Sequence, residues 1–539
     1  MPAFDISLFA GLLPAISPRN IPTENATVAT NVLLQNGDLN AIEGTALAPV
    51  QPTLPPSART LYRYNDKWFA WSAAVEVIPS PVIADPYDRV YFTGLDKPRV
   101  THNDIATGAG VLPSMSFPLG VPAPTSAPVI AYVPDAEDEP DYADDVTRFY
   151  VLTYVTSTGE ESAPGPLSAK VVVLQPDDVV GLSWPALVSN THDITHVRLY
   201  RSETGTSESG FFMVVQLPLA TTNYSDSVSA DALGATLQTT DYAMPPADMR
   251  GICSLAGGIT LGHAGRTLYV SEAFEPYTYP NSYRQTTQAP IVAICPLSSG
   301  AVIATEGYPY IASGTMPGAL SLYKLDEPYP CVSARSMVNM QGYAIYASQD
   351  GLVAAGSGGA QLLTSKVFTP EQWRVLQPQT MHCYYHDGLY IAFYGDVNGT
   401  GNGTGALIYD PSRKDVVFVD VYATAGYRDL AADSLYLVIN NQLHEWRKGA
   451  KLSYVWRSKV LDTADMSFQC CRVRGADNTG LTVKVYADGA LLHSHTFSEH
   501  DEWPFFLPAD SAYRRWQLEL IGSNEVHAIG MATSAQELV

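Results

Sequence analysis

A short strand-turn-strand pattern returns between Gly251 and Lys459 and limits the possible folds more than any other feature of the chain. Within each copy, branched or aromatic residues alternate with small or polar ones, which is the period of a strand with one buried face. Gly, Asp or Asn residues supply the turns. Each copy therefore predicts a β-hairpin. The copies are GRTLYVSEAF (Gly265–Phe274), GYAIYASQDGLVAAGSGG (Gly342–Gly359), DGLYIAFYGD (Asp387–Asp396), GALIYDPSRKDVVFVD (Gly405–Asp420) and DSLYLVINNQLHEW (Asp433–Trp446).

Hairpins that recur every ~40 to 50 residues are typical of β-propeller blades, each of which buries a sheet face against its neighbour. We therefore predict a β-propeller as the central body, on strand content and spacing alone, since the repeats carry neither a WD nor a kelch signature. Strands of the same character at Thr60–Tyr64, Trp68–Trp71 and Arg89–Thr93 predict a first blade within residues 57–116. The remaining blades are expected within residues 246–452.

Composition agrees with an all-β protein of several domains. The 539 residues are 46% hydrophobic, which is enough to fill more than one core. They include 40 Gly, 39 Pro and 32 Tyr but only 16% charged residues, as expected for many short strands joined by many turns. Helical periodicity is almost absent.

The segments outside the repeats predict four further parts. Residues 1–56 contain apolar pieces divided by Pro14, Pro18 and Pro22, which predicts an extended arm with a hairpin. Residues 117–147 form a Pro-rich acidic linker. Residues 148–245 resemble a fibronectin type III β-sandwich that is inserted into the propeller. The resemblance rests on the order of four segments, namely a Tyr-rich strand, GEESAPGP, a strand with Trp184, and RLYRS. Residues 453–539 predict a C-terminal β-sandwich domain, with Trp516, Leu518 and Leu520 on one strand face.

Charge and cysteine usage exclude several classes of function. The net charge of −23 disfavours sequence-independent binding to nucleic-acid phosphates, because such binding requires clustered Lys and Arg. The six cysteines form no CxxC pair and predict reduced, mostly buried thiols. No apolar run approaches the ~20 residues of a membrane span, and the N-terminus lacks the pattern of a secretory signal. We therefore expect no membrane insertion and folding in a cytoplasm.

Candidate metal-binding groups have simpler explanations in the sequence. His382, His386 and Asp387 are interpreted as ordinary strand and turn residues, and the acidic run from Asp135 to Asp145 as a solvated loop. One loop imitates the start of a calcium-binding EF-hand but has Leu407 where the bidentate Glu belongs, so a hairpin loop is expected there. The EF-hand-like positions are Asp396, Asn398, Thr400 and Gly401.

No catalytic constellation, cofactor motif or metal site emerges, and we predict that the protein is not an enzyme. GSGG at Gly356–Gly359 lies in an inferred turn rather than at the start of a helix. Asp350, Asp387 and Asp410 lie at inferred strand ends and are the candidate carboxylates for a glycosidase. The aromatic residues that would stack on sugars are Tyr277, Tyr279, Tyr283, Tyr308 and Tyr310.

The arm carries a motif of the form Phe-x-Gly-apolar-x-Pro, followed by Ala/Thr-x-Asn-Val-x-Leu-x-x-Gly-Asp-Leu. It resembles the opening of the tail nozzle family of short-tailed bacteriophages, also called tail tubular protein B. The C-terminal WRSKV and W-x-apolar-x-L-x-G segments resemble phage tail proteins of the same type. The matching arm residues are Phe9, Gly11, Pro14, Ala29, Asn31, Val32, Leu34, Gly37, Asp38 and Leu39.

The resemblance implies a structural virion protein with a β-propeller body. Such a protein forms a ring, of six copies by resemblance, below the portal and adaptor, and phage DNA passes through it without specific binding. Tail fibres or spikes would attach at the side, and assembly would occur in the bacterial cytoplasm. The alternative is a glycan-binding or glycan-cleaving β-propeller, either tailspike-like or secreted. A third option is a tail fibre adhesin, which is also structural but differs in its position on the particle.

Overall fold

The computed structural model describes residues 4–133, 145–174, 178–204, 209–395, 403–499, 504–508 and 511–538. Within these ranges the protein is almost entirely β, as predicted, with short α-helices at Asn103–Ala106 and Pro370–Val375. The chain forms two compact units. Unit 1 comprises Met1–Ala74, Gln288–Ala312 and Leu322–Val539, and unit 2 comprises Val75–Thr287 and Ser313–Ser321.

Unit 1 contains an arc of five antiparallel propeller blades, named A to E. First strands of neighbouring blades contact one another in the order B, C, D, E, A, as expected when blades pack face to face. Blade A is Thr60–Tyr64 and Lys67–Trp71; blade B is Ile291–Leu297, Gly300–Thr305, Tyr310–Ser313 and Ser321–Lys324; blade C is Val338–Asn339, Ala344–Ala347, Leu352–Gly356 and Gly359–Leu362; blade D is His382–His386, Leu389–Tyr394, Gly405–Asp410 and Asp415–Val419; blade E is Ala425–Asp429, Ser434–Ile439, Gln442–Glu445 and Ala46–Leu47.

Tight turns join the strands within the blades. Asp387, Asp433 and Asn440 have φ values of 51°, 46° and 50° at hairpin turns, a conformation that Asp and Asn tolerate better than most residues. The second and third strands of blade D bury both of their faces. Leu389, Tyr390, Ile391, Ala392 and Phe393 of the second strand are at most 5% exposed. The turn punctuation and apolar runs of the repeats therefore produce the predicted hairpins.

The N-terminal arm is woven into the rest of unit 1. Its strand Val28–Thr30 pairs in parallel with Asp415–Val419 of blade D on one edge and antiparallel with Tyr454–Arg457 on the other. One continuous ten-stranded sheet thus runs from blade D through the arm into the C-terminal domain. The rest of the arm forms the hairpin Val32–Leu33 with Asn40–Ala41, and Ala46–Leu47 completes blade E.

The C-terminal domain is a two-layer β-sandwich, as predicted. Trp516, Leu518 and Leu520 are fully buried on one face of the central strand, also as predicted. Opposite them lies a second sheet that includes Phe4–Ile6 of the arm, paired with Ala528–Ala532. The first layer consists of Tyr454–Arg457, Leu461–Met466, Thr482–Ala487, Ala490–Thr496 and Tyr513–Gly522, and the second of Phe4–Ile6, Ala528–Ala532, Cys470–Arg474 and Phe505–Phe506.

Unit 2 contains two four-stranded blades and a β-sandwich. The sandwich has two three-stranded sheets that share one apolar core, together with the antiparallel strand pair Val146–Arg148 and Val171–Val173. Blade F is Glu76–Pro79, Val90–Thr93, Arg99–Thr101 and Phe117–Pro118, and blade G is Arg250–Ser254, Thr260–Ala264, Thr267–Val270 and Gln285–Thr286. The sandwich sheets are Val129–Ala131, Val180–Ser183 and Asn223–Asp226, and Tyr150–Thr156, Ile194–Thr204 and Ser209–Pro218.

A fully buried ion pair links the two sheets of the sandwich. Arg201 Nη1 donates to Asp226 Oδ2 at 2.9 Å, and both side chains have no exposed surface. Tyr150 Oη donates to the same oxygen at 2.8 Å, and Val228 N–H donates to Asp226 Oδ1 at 3.0 Å. These hydrogen bonds offset the desolvation of the carboxylate and fix how the sheets lie on each other.

Phe9→Ala should destabilise unit 1 because Phe9 anchors the arm. Phe9 is fully buried, and its ring packs edge-on against Trp456 with 4.9 Å between ring centroids. Loss of this ring should lower the free energy of unfolding by about 3–5 kcal/mol in urea titrations followed by tryptophan fluorescence. The control Val50→Ala removes a 67% exposed arm side chain and should change it by less than about 0.5 kcal/mol. Equal effects of the two variants would contradict an anchoring role.

Candidate functional site

The arm joint, defined as residues 9–42 with the strands that they contact, contains the motif residues of the resemblance. Gly11 N–H donates to Asp415 Oδ2 at 2.6 Å, and Leu12 N–H donates to Val416 O at 2.8 Å. A Cβ at residue 11 would lie 2.5 Å from Val416 O, so only Gly permits this approach. Burial raises the pKa of Asp415, while the Gly11 N–H opposes the shift.

Asn31 fastens the arm to both of its neighbours. Its Nδ2 donates to Asp420 Oδ2 at 3.1 Å and to Ser453 O at 3.0 Å, while its Oδ1 accepts from Asp420 N–H at 2.9 Å. Its backbone has a φ of 60°, a left-handed conformation in which Asn is among the most favourable residues other than Gly. The Asn of the motif thus meets a backbone requirement and a hydrogen-bonding requirement together.

A groove of about 590 Å³ lies beside the arm joint. Leu8, Leu13 and Ile16 supply apolar lining, and Lys366, Arg413 and Asp415 supply charged groups. Arg413 Nη2 donates to Phe9 O at 2.7 Å. Part of the charge lining the groove is therefore already used to hold the arm.

Unit 2 contains two adjacent buried glutamates, Glu160 and Glu161. Tyr91 Oη donates to Glu160 Oε1 at 3.1 Å, and Arg89 Nη1 donates to the same oxygen at 3.3 Å. Burial nevertheless raises the pKa of Glu160 to about 7. Glu161 accepts from Thr153, Tyr200 and Arg198. The pair places one carboxyl group with a near-neutral pKa beside a hydrogen-bonded carboxylate.

A tyrosine pocket of about 280 Å³ adjoins this pair and is lined by Glu161, Tyr242, Met244 and Tyr277, among others. The rings of Tyr242 and Tyr277 have centroids 6.1 Å apart at an interplanar angle of 75°. Tyr277 Oη donates to Glu275 Oε2 at 2.6 Å. Burial and Glu275 raise the pKa of Tyr277, which keeps the phenol protonated as a donor. Aromatic rings with carboxylates are suited to polar, uncharged ligands that carry hydroxyl groups.

A third cluster brings together Asp38, Glu525 and His527 in unit 1, with one ligand atom from each lying within 4.8 Å of the others. His527 Nδ1 lies 3.2 Å from Asp38 Oδ1. Backbone hydrogen bonds in both directions between Leu39 and Val526 hold the two chain segments together, at 2.9 and 3.0 Å. Among the described residues, this cluster has donors suited to a metal ion.

The two histidines considered as metal ligands in the sequence take part in separate contacts. His382 Nε2 lies 2.8 Å from Ala423 O and its Nδ1 lies 3.1 Å from Tyr384 Oη. Burial holds the pKa of His382 well below its ordinary value, so it is a neutral core residue. His386 Nε2 lies 3.5 Å from Asp387 Oδ2, and Arg447 also pairs with Asp387.

The candidate glycosidase carboxylates serve separate local contacts. Asp350 forms an ion pair with Arg374, and Asp387 with Arg447. Asp410 caps a turn by accepting from Ser412 N–H and Oγ at 2.8 and 2.6 Å. Each of these three aspartates therefore has its own local partner.

The candidate sugar-stacking tyrosines are also dispersed, and only Tyr277 lines the pocket described above. Tyr279 is fully buried, and Tyr283 Oη donates to Glu272 Oε2 at 3.0 Å. In unit 1, Lys324 lies over the ring of Tyr308 at 4.3 Å, and Tyr310 Oη accepts from Gln288 N–H at 3.0 Å. The structure therefore divides this set between the two units.

The cysteine prediction is confirmed, since all six thiols are free and buried. Burial raises the pKa of Cys295, Cys331 and Cys383 to about 12, which makes these thiols unreactive. Gly356–Gly359 forms a turn between two strands of blade C, as predicted. The EF-hand-like loop, Asp396 to Gly401, and the acidic run except Asp145 lie outside the described residues.

Sequence reasoning missed the clusters that the fold assembles. Glu160 and Glu161 occur in GEESAPGP, where two acids beside a turn ordinarily indicate a solvated loop. Asp38 belongs to the arm motif, but nothing in the spacing connects it with Glu525 and His527 at the other end of the chain. The strand Tyr150–Thr156, which precedes GEES and is buried, was the one available signal that these two glutamates lie against a core.

Glu160→Gln should flatten the pH dependence of the stability of unit 2. The folded pKa of about 7 exceeds the ordinary 4.5, so folded protein binds more protons between these values. The wild-type free energy of unfolding should therefore fall by about 3 kcal/mol as the pH rises from 4.5 to 7. Gln keeps an acceptor for Tyr91 and Arg89 but cannot ionise, so the variant should lack this fall.

The measurement is urea unfolding of both proteins at pH values between about 4 and 8. Asp104→Asn, at an exposed acid of the same unit, is the control and should retain the wild-type profile. Parallel profiles for wild type and Glu160→Gln would show that Glu160 ionises normally in the folded state.

Comparisons with known proteins identify no family. No family model and no curated protein matches the chain. Among solved structures, the chain is similar to PorZ of Porphyromonas gingivalis, a surface component of the type-IX secretion system, at 10% identity and a TM-score of 0.27, covering 96% of this chain and 88% of that one. It is also similar to the exo-β-1,3-galactanase Pc1,3Gal43A of Phanerochaete chrysosporium, at 9% identity and a TM-score of 0.21, covering 55% and 97%. A third is the AfRom2 CNH domain, at 10% identity and a TM-score of 0.25, covering 60% and 90%. TM-scores this low carry no conclusion about function.

Proposed function

We propose that the protein is a structural virion subunit that forms the nozzle ring of a short phage tail. The observation that carries the proposal is the arm joint. Phe9, Gly11, Asn31 and Leu39, which belong to the motif that resembles the nozzle family, are buried or hydrogen-bonded where blade D meets the C-terminal domain. Each of these residues has a specific structural role in the joint. The motif is therefore better support for the proposal than a chance match on a loop would be.

The charge of the chain suits a conduit for DNA. A net charge of −23 repels the phosphate backbone, so DNA can pass without being retained. In this proposal the ring lies below the portal and adaptor, and fibres or spikes attach at its side. No helix in the described ranges combines the length and the apolar content needed to cross a bilayer.

Ring formation is the test of this proposal. Mass photometry of the purified chain over a concentration series should reveal particles of about six times the 58.2 kDa chain mass, because repeated head-to-tail contacts close into a ring. Negative-stain images should show a central hole, and the rings should not shift duplex DNA on a gel at low salt. Measurements at low and high salt separate apolar from electrostatic contacts between subunits.

The proposal fails if the chain remains monomeric at all concentrations and also does not assemble on a portal and adaptor complex. Rings that retain DNA at low salt would contradict the conduit while leaving the oligomer intact. The two parts of the proposal are therefore tested separately.

A second function, glycan binding, is favoured by the tyrosine pocket of unit 2. Its two aromatic rings and the neighbouring carboxylates of Glu161 and Glu275 provide the stacking surfaces and acceptors that bind sugar hydroxyl groups. The pocket volume of about 280 Å³ is near the lower end of the range of about 300–1,000 Å³ for small-molecule sites, which suits a small saccharide.

Tyr242→Ala should weaken saccharide binding at least about tenfold if the pocket binds glycans, because it removes one wall of the pocket. Calorimetric titration with a panel of mono- and disaccharides measures this effect. Tyr323→Ala removes a 59% exposed tyrosine elsewhere in the chain and should leave the affinity unchanged. The glycan function is rejected if wild-type protein binds no member of the panel, or if both variants bind as the wild type does.

A further inference from the structure

The cluster of Asp38, Glu525 and His527 is placed by strand register rather than by chance proximity of flexible side chains. Leu39 and Val526 pair through two backbone hydrogen bonds, and both of their side chains are fully buried. Neighbouring residues on an extended chain point to the opposite face. Asp38, Glu525 and His527 therefore share the outer face of the joint, partly open to solvent.

The separations match those of ligands around one small cation. Zinc bonds to carboxylate oxygen and imidazole nitrogen are about 2.0–2.2 Å, so two ligands of one tetrahedral zinc lie about 3.3–3.6 Å apart. His527 Nδ1 and Asp38 Oδ1 are 3.2 Å apart. The Glu525 ligand atom lies within 4.8 Å of both, a gap that a side-chain rotation closes.

The negative charge of the two carboxylates in the cluster also favours binding of a cation. Asp38 Oδ2 accepts from Asn36 Nδ2 at 3.0 Å, which orients the carboxylate within its turn. The Glu525 carboxylate makes no hydrogen bond or ion pair with any residue in the described structure. The nearby Arg474 uses its guanidinium to pair with Asp5 at 2.9 Å. Two carboxylates thus lie together with only one imidazole between them to balance their charge.

We propose that Asp38, Glu525 and His527 bind one divalent transition-metal ion, with Zn²⁺ as the representative, and that water completes its coordination. The imidazole favours such an ion over Mg²⁺ or Ca²⁺, which prefer ligand sets made only of oxygen. Because one ligand comes from the arm and two come from the C-terminal domain, the ion ties the arm to the C-terminal domain. This inference is independent of whether the protein forms a ring.

Calorimetric titration of chelator-treated protein with ZnCl₂ tests the proposal directly. We expect saturable binding of one Zn²⁺ per chain and a rise in the Tm of unit 1 with zinc, because the ion binds only the folded joint. Asp38→Asn, Glu525→Gln and His527→Gln should each weaken binding by at least the about 10-fold that loss of an outer-shell partner costs. His192→Gln, which changes a histidine in unit 2, is the control and should bind as the wild type does.

Titration with Co²⁺ gives a second readout that does not depend on stability. Bound Co²⁺ should produce visible absorption bands whose position and intensity change in His527→Gln, because replacing the nitrogen ligand changes the ligand field. Glu525→Gln is the most informative variant if Asp38→Asn folds poorly, since the Glu525 side chain has no partner to lose in the described structure.

The proposal is overturned if wild-type protein shows no saturable Zn²⁺ binding below about 1 mM. It is also overturned if all three cluster variants bind Zn²⁺ as tightly as the wild type does. In that case the contact between His527 and Asp38 is a surface ion pair alone. Equal responses to Mg²⁺ and Zn²⁺ would reject the role assigned to the imidazole.

Discussion

The pairing of strand Val28–Thr30 with two partners is the constraint on which the architecture of unit 1 depends. Without it, Asp415–Val419 of blade D and Tyr454–Arg457 of the C-terminal domain would each expose an unpaired strand edge. The arm covers both edges and converts them into one sheet. Since these strands are far apart in the chain, the sheet can close only after both ends of the chain have come together.

Burial of the arm removes its polar groups from water, which costs free energy. Specific polar contacts of the arm offset this desolvation cost. Buried backbone and side-chain polar groups need partners, because water no longer reaches them. Asn31 and Asp420 satisfy each other on one side of the joint, and Asp415 accepts from the Gly11 N–H on the other. Trp456 Nε1 donates to Ala10 O at 3.2 Å in the buried interior. The polar residues of the motif are therefore needed for the same reason as its apolar ones.

The sequence allowed prediction of features that depend on neighbours along the chain. Alternation and turn residues predicted the hairpins, and the spacing of Trp516, Leu518 and Leu520 predicted their common buried face. Contacts between segments that are distant in the chain produce no periodic pattern in the sequence. The arm was expected to be extended, yet its insertion beside Asp415–Val419 depends on an unpaired edge that exists only once blade D has folded. Glu160 and His382 are buried by contacts with segments that are distant in the chain. In the sequence, Glu160 therefore looked like an acidic residue of a solvated loop, and nothing indicated that His382 lies in a core.

The burial of the arm also limits how copies of the chain can associate. Phe9, Val32, Leu39 and Ile42 are fully buried within their own unit, so these four side chains offer no apolar surface to a second copy. Exchange of arms between copies would first have to break the pairing on both edges of Val28–Thr30. A metal ion at Asp38, Glu525 and His527 would raise that barrier further, because it adds a bond that must break before the arm can leave. In the proposed ring, contacts between subunits would therefore not use these buried arm residues, which hold each subunit together.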